Sequence, residues 1–180
     1  MQMGNLQITA PALGAPGYNE AAVFGSVTWL WMHVADHQDL PLKALTLLLL
    51  PPLKNRQYVL ASAPDGNGDD IRPVAYAAWA NLSAEAESRY LANPAVGLRP
   101  DDWASGDRMW LIDWFTPFGH APAFRRAVGQ LLADSCARAL YHRGNERGMR
   151  VLTFRGDRVS EAQSRQWWQA RPMLASPSFS

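Results

Sequence analysis

The sequence holds a single cysteine, Cys136, so no disulfide can form within the chain, and a reducing compartment suits it. No apolar run approaches the roughly 20 residues of a membrane-spanning helix. The stretch from Ala44 to Leu50 stops at Pro51 and Pro52. Residues 1–18 lack both a basic start and a continuous apolar stretch, which excludes a signal peptide and predicts a cytoplasmic protein. There is no Gly-x-Ser-x-Gly nucleophile elbow, no Walker loop and no dinucleotide glycine fingerprint. Charge is sparse at 18% of residues, against about 25% in typical soluble chains. The formal net charge of +1 gives no global pull toward nucleic acid.

What is abundant is apolar side chain: 48% hydrophobic residues, with eight tryptophans among 180 positions. That suffices for one domain with a substantial core, and it leaves apolar surface for a greasy ligand or a partner. Charge is also unevenly spread. Residues 119–158 carry eight arginines (125, 126, 138, 143, 147, 150, 155 and 158) against Asp134, Glu146 and Asp157. Such a stretch reads either as a basic face for an acidic partner or as a solvated helix face.

Residues 1–20 show no periodicity and read as a flexible lead-in, residues 21–170 as the domain, and 171–180 as a tail. Ala22–Asp36 suits a helix, and Leu42–Leu50 either a helix end or a buried strand. Gln57–Ala63 and Pro73–Ala80 read as strands joined by the turn-forming Pro64–Asp70, an antiparallel hairpin. Ser83 is placed to cap a helix over 84–92, with Glu85 and Glu87 near the positive end of its dipole. Met109–Phe118 is strand-like, Pro122 opens a helix expected to reach Tyr141, Met149–Phe154 is a short strand, and Ser160 caps a last helix to Gln169. The order predicts an α/β or α+β fold around one sheet.

Two residues stand out chemically. Asp113 sits in Trp110-Leu111-Ile112-Asp113-Trp114-Phe115, where strand alternation puts it on the face of Leu111 and Phe115. A carboxylate there needs a partner, either a structural cation such as Arg108 or a catalytic imidazole. His37 suits a general base, because a free imidazole titrates near neutral pH, and it equally suits a surface position on the polar stretch Asp36–Asp39. His33 and His37 are four apart, but without an adjacent Glu or a third ligand they do not read as a metal site. Cys136, expected mid-helix, reads as an inert buried thiol. Arg143–Gly148 is a poor match to a pyrophosphate loop, which disfavours coenzyme A.

Three stretches, Gly25–His37 (GSVTWLWMHVADH), Pro73–Leu91 (PVAYAAWANLSAEAESRYL) and Trp103–Gly119 (WASGDRMWLIDWFTPFG), resemble the hemolysin-activating lysine acyltransferases, with a weaker likeness over Val151–Glu161. The resemblance implies a GCN5-type N-acetyltransferase-like fold, with a mixed, mostly antiparallel sheet flanked by helices. It also implies homodimerisation, and acyl carrier protein (ACP) as the acyl donor with no tightly bound cofactor. The reaction it implies is acylation of an RTX protoxin lysine, with catalytic roles falling on His37 and Asp113. The chain departs from the family at Leu48, where an Asn commonly stands eleven residues after the His, and at Val34 and Ala35, which replace small polar residues. Two rival expectations are a non-catalytic module that docks acyl-ACP or an RTX protein, and a coenzyme A-dependent N-acyltransferase.

Overall fold

A computed structural model describes residues 1–15, 19–65, 68, 70–94, 97–141 and 150–177. The strands are β1 (Gln2–Met3), β2 (Leu6–Thr9), β3 (Tyr58–Pro64), β4 (Ile71–Leu82), β5 (Arg108–Phe115), β6 (Cys136–Leu140) and β7 (Val151–Arg155). The helices are α1 (Glu20–Trp31), α2 (Ala35–Gln38), α3 (Leu45–Leu48), α4 (Leu50–Lys54), α5 (Ala84–Ala92), α6 (Ala121–Leu131) and α7 (Glu161–Ala170). The strands hydrogen-bond in chain order. Pairs β1–β2, β2–β3, β3–β4 and β6–β7 are antiparallel and β5–β6 is parallel, so the fold is mixed α/β. A parallel pair needs a crossover, and the chain between β5 and β6 carries α6.

The residues divide into two compact units. The first comprises Met1–Ala78 and Asp113–Leu131, the second Trp79–Ile112 and Leu132–Ser180.

In the first unit, the segment read as a flexible lead-in supplies strands. Leu6 and Ile8 are fully buried, and β2 pairs with β3 through Ile8 opposite Ala61. One partner, β1, is a neighbour in the chain, but the pairing that joins β2 to the rest of the sheet is with β3, more than fifty residues downstream. The hairpin β3–β4 forms as expected, Leu60 facing Tyr76, and closes through Asp65 N–H donating to Asp70 O; residues 66, 67 and 69 of its turn lie outside the described residues. Residues 42–50 prove helical. Pro51 and Pro52, read as punctuation, sit in the first turn of α4, where a missing N–H costs nothing.

In the second unit, Ser83 Oγ accepts from Ala86 N–H and starts α5, and Ser160 with Gln163 forms a reciprocal cap on α7. The helix opened by Pro122 ends at Leu131, not Tyr141. Asp134 and Ser135 break it: both compete well for backbone groups outside helices, and Asp134 takes both ends of the Arg158 guanidinium. Residues 136–140 are β6 instead, pairing with β5 and β7, so sheet pairing overrides the helical propensity of Ala137 and Ala139. Cys136 therefore opens a strand; it is buried, which pushes its thiol pKa up.

Glu87 extends another expectation. It lies in the first turn of α5, as the dipole reading places it, and it is also fully buried, which that reading did not include. Its carboxylate accepts from Arg138 Nη1 (2.7 Å), Trp110 Nε1 (2.8 Å) and Arg108 Nη1 (3.1 Å). The arginines also donate onward, Arg108 to Pro172 O and Arg138 to Arg171 O, which straps residues 171–172 to the buried acid. Arg138 lies beside the Trp167 and Trp168 rings. The arginine-rich stretch is thus not one outward face: Arg138 is internal, Arg158 is paired to Asp134, and Arg143 and Arg147 lie outside the described residues.

Candidate functional site

His37 sits on α2, the four-residue helix that follows the end of α1. Val34 is extended at its N-cap, and His37 N–H donates to Val34 O. The turn aims the imidazole at the end of β5, where His37 Nε2 lies 3.4 Å from Asp113 Oδ1. The side chains are 15% and 18% exposed, so the pair is shielded without being sealed. The imidazole ring contacts Trp31 (centroids 4.7 Å apart) and Phe115 (5.2 Å). Phe115 is two residues beyond Asp113, so both meet the imidazole from one face of β5, as alternation requires.

The partner that Asp113 needs is therefore His37, while Arg108 is committed to Glu87. His37 is not the surface loop residue that Asp36–Asp39 suggests. His33 and His37 do not share a helix either. Helix α1 stops at Trp31, and His33 sits in the link with Nδ1 2.9 Å from Trp29 O and its ring against those of Trp29 and Phe118.

The surroundings hold polar atoms without partners. His37 Nδ1, Trp31 Nε1, Thr28 Oγ1 and Tyr76 Oη are buried and make no hydrogen bond among the described residues. Tyr76 on β4 is fully buried, its ring 5.4 Å from that of Phe115 and stacked at 6.3 Å on Tyr58. Burial pushes the Tyr76 phenol well above its usual pKa, and the Asp113 and Tyr58 charges push the same way. Nothing local to Tyr76 announces it: PVAYAAWA reads as strand core, which it is.

A carboxylate, an imidazole it orients, and a wall of aromatic rings make an arrangement suited to moving one proton in a partly dry setting. A model of the RTX toxin acyltransferase family matches residues 17–155.

The chain belongs to the RTX toxin acyltransferase family.

Among its relatives in the family is the leukotoxin-activating lysine-acyltransferase LktC serotype T3 of Mannheimia haemolytica, 34% identical over 145 residues, covering 79% of this chain and 82% of the relative. The protein-lysine myristoyltransferase HlyC of Escherichia coli is 35% identical over 139 residues (77% and 78%). The protein-lysine palmitoyltransferase CyaC of Bordetella bronchiseptica is 35% identical over 158 residues (87% and 81%). His37, Asp113, Tyr76 and Glu87 fall inside the span matched by the RTX toxin acyltransferase family, whereas α7 and the strapped residues 171–172 lie beyond it.

The structure also explains much of the distinctive WASGDR stretch of this family member without chemistry. Trp103 is fully buried, and Ser105 Oγ accepts from Ser83 N–H while donating to Asp102 O. Gly106 N–H donates to Asn81 O, and a Cβ on Gly106 would meet Leu82 O at 2.5 Å. Asp107 takes Arg171, and Arg108 takes Glu87. Leu48 lies half-buried at the end of α3. Among the described residues no cluster suits a metal ion, and no helix is long and apolar enough to cross a membrane.

Proposed function

We propose that this protein transfers a fatty acyl group from acyl-ACP to the ε-amino group of a lysine in an RTX protoxin. Three relatives carry names for lysine acylation, myristoylation and palmitoylation, which supports the reaction class. The observation that carries the residue assignment is the approach of His37 to Asp113 beneath an aromatic wall. No tightly held cofactor is needed, because the carrier's thioester brings the activated acyl group. The homodimer implied by the resemblance belongs to the same proposal.

A lysine amine is protonated at neutral pH and must shed that proton before it can attack. Asp113 holds the Nε2 edge of His37, which leaves Nδ1 as the basic nitrogen. Nδ1 is closed off in this conformation, so an approaching amine must displace the ring or its Trp31 neighbour. After the ammonium loses one proton to solvent, the neutral amine attacks the thioester carbonyl carbon and His37 takes its second proton. The tetrahedral intermediate then expels the carrier's thiolate, which recovers that proton from His37, leaving an amide and a free thiol. Asp113 steadies the imidazolium that exists between the two transfers. Exposed Trp29, Met32, Leu40, Leu42 and Leu47 flank His37 in the chain and give an acyl tail an apolar surface. Each methylene covered there contributes about 0.8 kcal/mol.

The test is intact-mass analysis of an RTX protoxin co-expressed with this protein, wild-type or His37→Ala. A lysine-borne gain of one fatty acyl group with the wild type alone is expected. Capture of acyl-ACP with no mass gain on any protoxin would assign the chain to docking instead.

A further inference from the structure

The eight arginines of residues 119–158 suit either a basic face for an acidic partner or a solvated helix face, and the structure sorts them. Arg138 is buried on Glu87, Arg158 is paired with Asp134, Arg150 lies over the Tyr141 ring, and Arg155 is on β7. All four belong to the second unit. Arg125 and Arg126 differ. They are neighbours on α6, in the unit that holds His37 and Asp113, and both are exposed with no ion pair among the described residues. The helix turns Phe124, Ala127 and Val128 inward, which leaves Ala121, Pro122, Arg125 and Arg126 on its uncovered face. Phe124 seats α6 beside the catalytic strand: its ring centroid lies 5.0 Å from that of Trp114, the residue after Asp113. A third exposed cation, Arg72 on β4, lies 5.2 Å from the Phe118 ring, in the link between β5 and α6. Phe118 in turn meets the rings of Trp29 and His33. No acid occurs from Trp114 to Ala133, so nothing within that segment offsets the positive charge.

We propose that the uncovered face of α6, with Arg125 and Arg126 as its contacts and Arg72 as an outlying cation, docks the acidic surface of acyl carrier protein. This rests on the acyl-transfer reading above and says where its donor sits. A carrier that delivers a thioester must stand close enough for its arm to reach His37. A cationic helix leaning on the residue next to Asp113 meets that demand. Uncommitted surface charge of one sign steers an oppositely charged partner and fixes its orientation, and it does so without a buried ion pair. Arg126 also borders a groove of about 150 Å³ between α6 and the β1–β2 turn, lined by Met3, Asn5, Ala127 and Gln130, where a side chain of the docked protein can seat.

The variant Arg125→Glu/Arg126→Glu tests this, since both side chains are exposed and neither holds the fold together. Its affinity for myristoyl-ACP, read by fluorescence anisotropy, should fall about 10-fold or more. Added salt should weaken wild-type binding steeply and the variant's little. In turnover the loss should fall on KM for myristoyl-ACP, with kcat unchanged; a fall in kcat at unchanged KM would put the arginines in the chemistry and overturn the docking role. Arg155→Glu/Arg165→Glu makes the same change of net charge in the second unit and should bind like the wild type. An equal loss in that control would make net charge the cause and overturn the proposal. An affinity of Arg125→Glu/Arg126→Glu within about twofold of wild type would also overturn it, whether or not the wild type transfers acyl groups. Wild-type protein that binds the carrier through α6 yet acylates no protoxin would count against the function and leave the docking face standing.

Discussion

Replacing Glu87 by Gln leaves the shape of α5 intact and removes one negative charge from a fully buried position. Three donors converge on that carboxylate, two from guanidiniums whose side chains are 12% and 4% exposed. A glutamine amide offers one oxygen where the carboxylate offered two, and its NH2 group points a donor at a donor. The arginines are left as buried cations, with the backbone carbonyls of Pro172 and Arg171 and, for Arg138, two tryptophan rings beside them. Breaking a buried ion pair by removing one partner costs about 3–5 kcal/mol. Against a total stability of about 5–15 kcal/mol that is a large fraction, and for a chain of this size it lowers Tm by roughly 6–20 °C. Urea unfolding followed by tryptophan fluorescence is the suitable assay, because Trp79, Trp103, Trp110, Trp167 and Trp168 all lie in the second unit. The double variant Glu87→Gln/Arg138→Met should recover part of the loss, since it removes the stranded cation as well. A single-variant cost below about 1 kcal/mol would refute the reasoning, because it would mean that water reaches the site and screens it.

His37→Ala should abolish acyl transfer, read by intact mass, while the protein stays folded, because the ring touches Trp31 and Phe115 at the edge of the core rather than within it. Asp113→Asn should lower the rate by about 100-fold or more, since the imidazolium loses its counter-charge; a rate within threefold of wild type would remove Asp113 from the mechanism. Alkaline stability should fall above about pH 10. Burial raises the pKa of both Tyr58 and Tyr76 in the folded chain, so the unfolded chain ionises first, unfolding releases protons, and stability is lost as pH climbs toward the folded values. Urea midpoints at pH 8 and 10.5 check this, and Tyr76→Phe should flatten the slope.

Elements announced by local chemistry were legible. The hairpin β3–β4 was marked by its turn residues, α5 by Ser83 and α7 by Ser160, since each cap or turn acts within a few residues of its own signal. Elements that rest on distant pairing were not. Residues 6–9 pair locally with β1 but join the sheet through β3, and Cys136–Leu140 is a strand because β5 and β7 flank it. At the site, Asp113 was visible as a carboxylate among apolar neighbours that needs a partner, and the resemblance pointed to His37. The unpartnered Tyr76 hydroxyl and the aromatic wall were invisible, because only the sheet brings Tyr76 beside Phe115. The burial of Glu87 was hidden for a similar reason: its position in the first turn of α5 suits a helix dipole, and its partner Arg138 lies 51 residues away.

That separation bears on how the protein is made. As the chain leaves the ribosome, Glu87 emerges long before Arg138, and Arg138 itself precedes its carbonyl partner at Arg171 by 33 residues. At about 5–20 residues per second the acid waits several seconds for its full set of partners. During that interval α5 can form its turns but cannot go under cover, since an unpaired carboxylate stays in water. The residues of the first unit, His37 and Asp113 among them, have all been added once Leu131 is made, while residues 132–180 of the second are still to come. Limited proteolysis of nascent chains stalled beyond Leu131 and beyond Pro172 would read that order directly. The expected result is a second unit that stays open to protease until the residues that strap Glu87 have emerged.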